Sequence, residues 1–196
     1  MPRKKRIRKP NTTYHVYSRS VQWEYLMKED RFKDLFVDLI QKTQEKYVFQ
    51  LNFYEIMGNH FHLVIKTVEG GADISRIMQY LKSRFAQRFN RLTGRIGPFW
   101  NERFKDIIVE EQDNPVNYLL WLLWYLAFNP IRKNIVSDPM DYRYGCINSY
   151  LSSRKRTKLT ITLHEYFLQL GGTFRERVKR FLYYEEAYRR RHAIIW

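Results

Sequence analysis

Two histidines separated by one residue, His60 and His62, form the most chemically specific pattern in the chain. They begin a segment, residues 60–68, whose composition predicts a β-strand. Successive side chains of a strand point to opposite faces, so both imidazoles are expected on the same face, where they can share one metal ion. Histidines at this spacing also occur in strands where they only pack, and the pattern alone leaves both interpretations open.

Tyr125 and Asn129 lie four residues apart in an apolar segment that predicts a helix, so we expect them on the same helix face. An Asn oxygen and two imidazoles would leave positions of a divalent ion open for a phosphate oxygen. A tyrosine one turn away could then attack the phosphorus and form a covalent intermediate. Packing is the alternative, because the chain has 15 tyrosines and Asn129 directly precedes a proline that stops the helix.

The elements that must position these residues follow from periodicity and turn residues. The predicted strands span residues 12–20, 47–57, 60–68 and 103–111; the predicted helices span residues 30–46 and 73–93, and a third opens at Asp113 or Asn114 and stops at Pro130. Gly58-Asn59 predicts a two-residue turn of an antiparallel hairpin. The order βαββαβ plus a helix predicts an α+β, ferredoxin-like antiparallel sheet, with one face left for a ligand or the added helix.

The chain divides by composition into three segments. Residues 1–11 form a basic arm, residues 12–150 hold the predicted sheet and helices, and residues 151–196 form a basic extension with two predicted helices around Gly171-Gly172. The extension carries eleven Lys and Arg against four Glu. We therefore expect one catalytic domain, 12–150, flanked by an N-terminal arm and a helical C-terminal extension.

The net charge of +15, from 35 Lys and Arg against 20 Asp and Glu, indicates an acidic partner. Nucleic acid, an anionic membrane surface or an acidic protein would each fit. The sequence contains no run of about 18 apolar residues, the length that a membrane-spanning helix requires. The basic N-terminus lacks the apolar region of a signal peptide. The lone Cys146 cannot form an intrachain disulfide and fits a reducing cytoplasm.

Candidate contacts with nucleic acid are cationic residues, which release counterions from phosphates, and aromatic residues, which stack on unpaired bases. Solvation or core packing is the alternative at each position. The candidates are Arg3, Lys4, Lys5, Arg6 and Arg8 in the arm, Lys82, Arg84 and Arg88 in the second predicted helix, and Trp100 and Arg103 before the fourth strand.

Several segments together resemble one family. MGNHFHLVI resembles the His-hydrophobic-His strand of the HUH single-tyrosine transposases, and YLAFNPIRKNIV resembles the segment that carries their nucleophilic tyrosine. YHVYSR, LKSRFAQRFN and GPFWNERFKD resemble further recurrent segments, and order and spacing agree over residues 12–150. The distal LHEYFLQLGGTFRERVKRFLYYEE is similar to the basic tail of the REP-associated tyrosine transposases.

The resemblance implies a metal-dependent single-strand DNA endonuclease and strand transferase that acts on hairpin or palindromic DNA. His60, His62 and Asn129 would bind Mg²⁺ or Mn²⁺, and Tyr125 would form a 5′-phosphotyrosine and release a 3′-hydroxyl. The partner would be hairpin-forming single-stranded DNA, including repetitive extragenic palindromes. The protein would act at the nucleoid in the bacterial cytoplasm. A monomer is favoured over a dimer.

Two alternatives stay open at this point. One is a protein of the same fold that binds DNA or RNA hairpins without cutting them. The other is a structural metal protein, which is less favoured because two His and an Asn make a poor closed zinc site. The chain also departs from the family at two positions. Ala127 stands where the family has a His between the Tyr and the Asn, and Ser20 stands where a Gly usually follows Ser-Arg.

Overall fold

The computed structural model describes residues 8–154 and 157–192. Its centre is a four-stranded antiparallel sheet in the order β2-β3-β1-β4. The strands are β1 (Thr13–Arg19), β2 (Gln50–Ile56), β3 (His60–Lys66) and β4 (Lys105–Ile108). This strand order, with a helix after β1 and another after β3, confirms the predicted α+β, ferredoxin-like fold.

Local signals in the sequence fix the ends of the long helices. The helices are α1 (Asp30–Lys46), α2 (Ile74–Thr93), α3 (Pro115–Ala127), α4 (Asn129–Arg132), α5 (Asn148–Leu151), α6 (Glu165–Leu168) and α7 (Phe174–His192). The Asp73 carboxylate accepts the backbone N–H groups of Ser75 and Arg76 and so caps α2, which ends at Gly94 in the left-handed conformation.

Both faces of the sheet are covered by helices. On one face, α1 and α2 pack against residues such as Phe61, whose ring centroid lies 4.7 Å from that of Phe36. On the other face lies α3, which α7 covers in turn: the Trp124 indole N–H donates to the Phe181 carbonyl at 3.1 Å, and the two rings stack at 4.9 Å. The added helix therefore takes the second face, with the C-terminal segment packed behind it.

Several predicted elements are shorter than expected: β2 begins at Gln50 rather than at residue 47, and β3 ends at Lys66 rather than at residue 68. Strand β4 stops at Ile108, because the Glu110 carboxylate takes the Thr13 N–H that a longer β4 would have paired, at 2.9 and 3.0 Å. Helix α3 stops at Ala127 rather than at Pro130, since a proline ring inside the helix would clash with the carbonyl four residues earlier. Pro130 lies instead in the first turn of the short α4.

Lys82 does not lie on the solvent side of α2 as expected. Its ammonium is buried and donates to the Ser18 hydroxyl and the Glu102 carbonyl, both at 2.7 Å. The flexible stem of a lysine spans apolar surface easily, so a charged residue type does not exclude an inward position.

Glu55 on β2 gives a test of this packing. Its carboxyl group is buried against Gly145, and burial raises its pKa well above the usual value, although the charge of Arg132 opposes the shift. The folded state therefore retains a proton that the unfolded chain releases, and this contribution to stability is lost as pH rises above the unfolded pKa.

We expect Glu55→Gln to raise Tm relative to the parent at pH 8, by about 2–4 °C for each kcal/mol gained, with a smaller difference at pH 5. The amide keeps the shape of the carboxyl group and has no proton to lose. Thermal unfolding at both pH values measures the effect. Glu45→Gln, at an exposed position on α1, is the matched control; a Glu55→Gln difference independent of pH would contradict the assignment.

Candidate active site

His60 and His62 lie on the same face of β3, as predicted, and their ring centroids are 5.2 Å apart. The antiparallel register places Arg19 opposite His60 and Tyr17 opposite His62 on β1. Residues opposite each other in a sheet share a face, so these side chains surround the two imidazoles. The face is the one that α3 covers.

Each histidine has one ring nitrogen occupied by a neighbour. His60 Nδ1 donates to the Asn59 side-chain oxygen at 2.7 Å, which leaves Nε2 with its lone pair. His62 Nδ1 lies 3.0 Å from Nε2 of the buried His15, and when His62 donates in this pair its own Nε2 is likewise free. Such hydrogen bonds orient imidazoles toward metal ions in many proteins.

Both imidazoles are neutral at physiological pH. Burial lowers the pKa of His60 to about 4, and the charges of Arg19, Lys133 and Arg132 act in the same direction. Burial also lowers the pKa of His62 well below its usual value. The neutral ring is the form that ligates a metal, so the local electrostatics keep both side chains ready to bind one.

Arg132 joins the two helical candidates. Its Nη2 donates to the Tyr125 carbonyl at 2.8 Å and to the Asn129 side-chain oxygen at 2.7 Å, and its guanidinium carbon lies 4.6 Å from the centroid of the Tyr125 ring. These bonds hold the Tyr125 backbone and the Asn129 side chain together across the break between α3 and α4. The Asn129 oxygen keeps a second lone pair, while its Nδ2 is buried without a partner within 8–154 and 157–192.

A cleft of about 580 Å³ brings His62 and Tyr125 together. Tyr125 is an exposed residue of a largely apolar helix, with 44% of its surface accessible. His60 borders a second cavity, of about 750 Å³, which also contains Asn59 and Lys133. The two histidines thus face different cavities, and Asn129 is not among the residues that line either one.

The chemistry of the donor set, rather than a shared cavity, suits a divalent ion with open coordination positions. It offers two neutral imidazole nitrogens and one amide oxygen, and water or phosphate oxygens would complete an octahedron around Mg²⁺ or Mn²⁺. Among the residues that the structure describes, no group of three or more His, Cys, Asp or Glu could hold a metal ion.

The predicted DNA contacts divide by exposure. Arg84, Arg88 and Arg103 are exposed, and Arg8 lies 3.8 Å from the Asp73 carboxylate at the start of α2. Lys82 is buried, and Trp100 packs edge-on to Phe61 at 5.3 Å while its indole N–H donates to the Lys82 carbonyl. Lys82 is thus buried, and Trp100 is partly buried against the core. Arg3, Lys4, Lys5 and Arg6 lie outside the described residues.

Sequence reasoning missed several residues that line or brace the site. His15, Tyr17 and Arg19 alternate along β1 and reach the cleft together, and the period-2 pattern of the segment YHVYSR was the available signal. Arg132 follows Asn129 by three residues in the segment that drew attention to Tyr125. Tyr188 and Arg191 of α7 had no signal, because their place in the cleft depends on how α7 packs.

The two departures from the family pattern have structural explanations. Ala127 is buried in the core, with 1% of its surface exposed, and it is not among the residues that line the cleft beside Tyr125. The Ser20 hydroxyl contacts the carbonyls of Glu24 and Asn59, the latter at 3.0 Å, and so ties the end of β1 to the turn before His60. Neither change removes a candidate site residue.

Helix length and composition bear on the membrane question. No helix within the described ranges is both long and apolar enough to cross a lipid bilayer.

Comparison with known proteins places the chain in a family. Residues 9–118, more than half of the chain, match the model of the family described as "Transposase IS200 like". The chain therefore belongs to the IS200-like transposases. The matched residues include His60 and His62 and end before Tyr125. A search of curated proteins finds no significant match.

One solved structure supports the same fold. A REP-associated tyrosine transposase bound to a REP hairpin is similar over 83% of this chain and 100% of its own, with a TM-score of 0.62 and 15% identity. A second structure, from Deinococcus radiodurans R1, is provisionally described as a transposase. It is 18% identical over 55% of this chain and 83% of its own, with a TM-score of 0.33.

His60 provides a test of the metal site. We expect His60→Ala to weaken Mn²⁺ binding at least tenfold, because one of two imidazole ligands is removed. The fold should persist, because within the described ranges the His60 ring hydrogen-bonds to the adjacent Asn59 and not to a distant element. Isothermal titration with Mn²⁺ measures the affinity, and thermal unfolding checks the fold. His192→Gln, which changes another imidazole near the cleft, should bind as the parent does. Equal affinities for parent and His60→Ala would contradict the assignment.

Proposed function

We propose that the protein is a metal-dependent single-strand DNA endonuclease and strand transferase that acts on hairpin DNA through Tyr125. The observation that carries this proposal is the common cleft of Tyr125 and His62: an exposed tyrosine opens onto the same space as one of two neutral, oriented imidazoles. If Tyr125 served only to pack in the core, its side chain would not need to be exposed beside a candidate metal ligand. Membership of the IS200-like transposases supports the proposal.

The chemistry balances without an external energy source. The Tyr125 oxygen bonds to phosphorus as the bond from phosphorus to the 3′-oxygen breaks, so the proton released by tyrosine is matched by the one that the 3′-hydroxyl gains. The product is a 5′-phosphotyrosine, and attack by another 3′-hydroxyl reverses the step and joins two strands. When bound by His60, His62 and Asn129, Mg²⁺ or Mn²⁺ would supply Lewis acidity at the phosphate.

The chain's own groups prepare this step. Arg132 holds the backbone at Tyr125 and places a guanidinium over the Tyr125 ring, where its positive charge favours an approaching phosphate. Arg19, opposite His60 in the sheet, adds a second cation at the edge of the site. His15 and His62 are buried at the inner wall of the cleft.

Hairpin DNA is the proposed partner, repetitive extragenic palindromes among its sources. The net charge of +15 favours a polyanion, and the similar REP-associated transposase was solved with a REP hairpin. His62 and Tyr125 of the same chain line one cleft, which favours a monomer because no helix from a second copy is needed to supply the nucleophile. Action at the nucleoid of a bacterial cytoplasm follows from this substrate.

Tyr125→Phe tests the nucleophile. With a labelled hairpin and Mn²⁺, we expect the rate of adduct formation to fall at least about 10³-fold, because the attacking oxygen is removed. Hairpin affinity should be unchanged, since only one hydroxyl is lost. A denaturing gel detects the adduct, and fluorescence anisotropy measures affinity. Tyr118→Phe, in the same helix and cleft, is the matched control and should retain the adduct. Adduct formation by Tyr125→Phe would place the nucleophile elsewhere.

Replacing Arg3, Lys4, Lys5 and Arg6 by Gln tests the arm. We expect hairpin affinity to fall, and the slope of log affinity against log salt to flatten by roughly 0.7 for each single-strand phosphate that the arm no longer neutralises. Cleavage at saturating DNA should persist, because no candidate chemical residue lies in the arm. Lys42→Gln, at an exposed position on α1, is the control. An unchanged slope would mean that these four residues do not bind DNA.

A further inference from the structure

The cleft beside Tyr125 is larger than the attack of a tyrosine on a phosphate requires. Its volume of about 580 Å³ is in the range of cavities that bind whole organic ligands. Its walls come from β1, β3, α3 and α7, so the C-terminal segment completes it. A cavity of this size next to a nucleophile has room for a planar group attached to the reacting phosphate.

Aromatic rings form much of the wall. Tyr17 comes from β1, Tyr118 and Trp121 come from α3, and Tyr188 comes from α7. The Trp121 ring lies 5.8 Å from that of Tyr188, and the Arg191 guanidinium lies 5.9 Å from Trp121. Aromatic and guanidinium planes are the surfaces on which unpaired nucleobases stack in single-strand binding proteins.

Polar groups in the same wall can bind the edge of a base. The Asn114 oxygen caps α3 by accepting the Asn117 backbone N–H, and the Asn117 oxygen accepts the Tyr184 hydroxyl at 2.8 Å. The oxygens are thus occupied, and both side-chain NH₂ groups remain as donors. No Asp or Glu is found among the described residues of the cleft, while Arg19 and Arg191 add positive charge. The cleft accordingly favours a flat ligand with acceptor atoms and an attached anion.

Building on the proposed function, we propose that this cleft is a nucleobase pocket: it takes the unpaired base adjoining the phosphate that Tyr125 attacks, with Trp121 as its stacking surface. The base lies between α3 and α7, and its edge accepts hydrogen bonds from Asn114 and Asn117. Occupation of the pocket fixes which phosphate reaches Tyr125, so the α7 residues Tyr188 and Arg191 take part in selecting the cleavage position.

Equilibrium binding tests the pocket without any need for chemistry. Hairpins with a single-stranded flank, each with one abasic nucleotide at a different flank position, are titrated in EDTA with the full-length protein. For the parent, removal of one particular base should weaken binding roughly 5- to 150-fold, the range for one stacked base. Trp121→Ala should weaken binding of the intact hairpin by a similar factor and should show no further loss with that abasic substrate.

Two further variants separate stacking from a general effect on folding. Trp121→Phe should restore most of the affinity and the abasic penalty, because it keeps an aromatic plane. Tyr183→Ala, which removes an exposed ring of α7 outside the cleft, should behave as the parent does. Thermal unfolding verifies that each variant is folded.

The outcomes separate failure of the nucleobase pocket from failure of the proposed nuclease function. A Trp121-dependent abasic penalty supports the pocket, even if no covalent adduct forms with Mn²⁺. An adduct without any Trp121-dependent penalty overturns the pocket and leaves the nuclease intact. When cleavage is mapped on the intact hairpin, the sensitive base should adjoin the cut; a sensitive base more than one nucleotide away would also overturn the proposal.

Discussion

The guanidinium of Arg132 holds the candidate site together. It bonds to the Tyr125 carbonyl, the Asn129 side chain and the Tyr188 hydroxyl, and so joins α3, α4 and α7 at one point. Pro130 separates the helix that carries Tyr125 from the turn that carries Asn129, and Arg132 ties the two together. Loss of a charged donor of this kind leaves several acceptors unpaired, at a cost of about 1–3 kcal/mol for each one that is buried.

The sheet provides the other half of the site. Antiparallel pairing places β1 and β2 on either side of β3, so His62 lies in a row with Tyr17 and Glu55. A shift of one residue in register would turn both histidines toward α1 and α2. The buried Phe61 opposes such a shift, because its ring fills the core between Phe36 and Trp100. Core packing on one face therefore determines which side chains the other face presents to a ligand.

Much of this arrangement could be predicted from the sequence. The alternation in β3, the Gly58-Asn59 turn and the caps of α2 and α3 are local signals, and each is found in the structure. The position of Lys82 could not be predicted, because it depends on the Ser18 and Glu102 partners that only the tertiary fold supplies. The bond between His15 and His62 likewise depends on strand register, and the contribution of α7 depends on helix docking over a long sequence distance.

The central claim is that Tyr125 becomes covalently bound to DNA. The most direct measurement incubates the parent protein with a single-stranded hairpin and Mn²⁺, digests the DNA and the protein, and identifies the modified peptide by mass spectrometry. We predict a nucleotide attached through its 5′-phosphate to Tyr125. A nucleotide on Tyr118 or on any other residue, or the absence of a modified peptide when the hairpin is cut, would contradict the account.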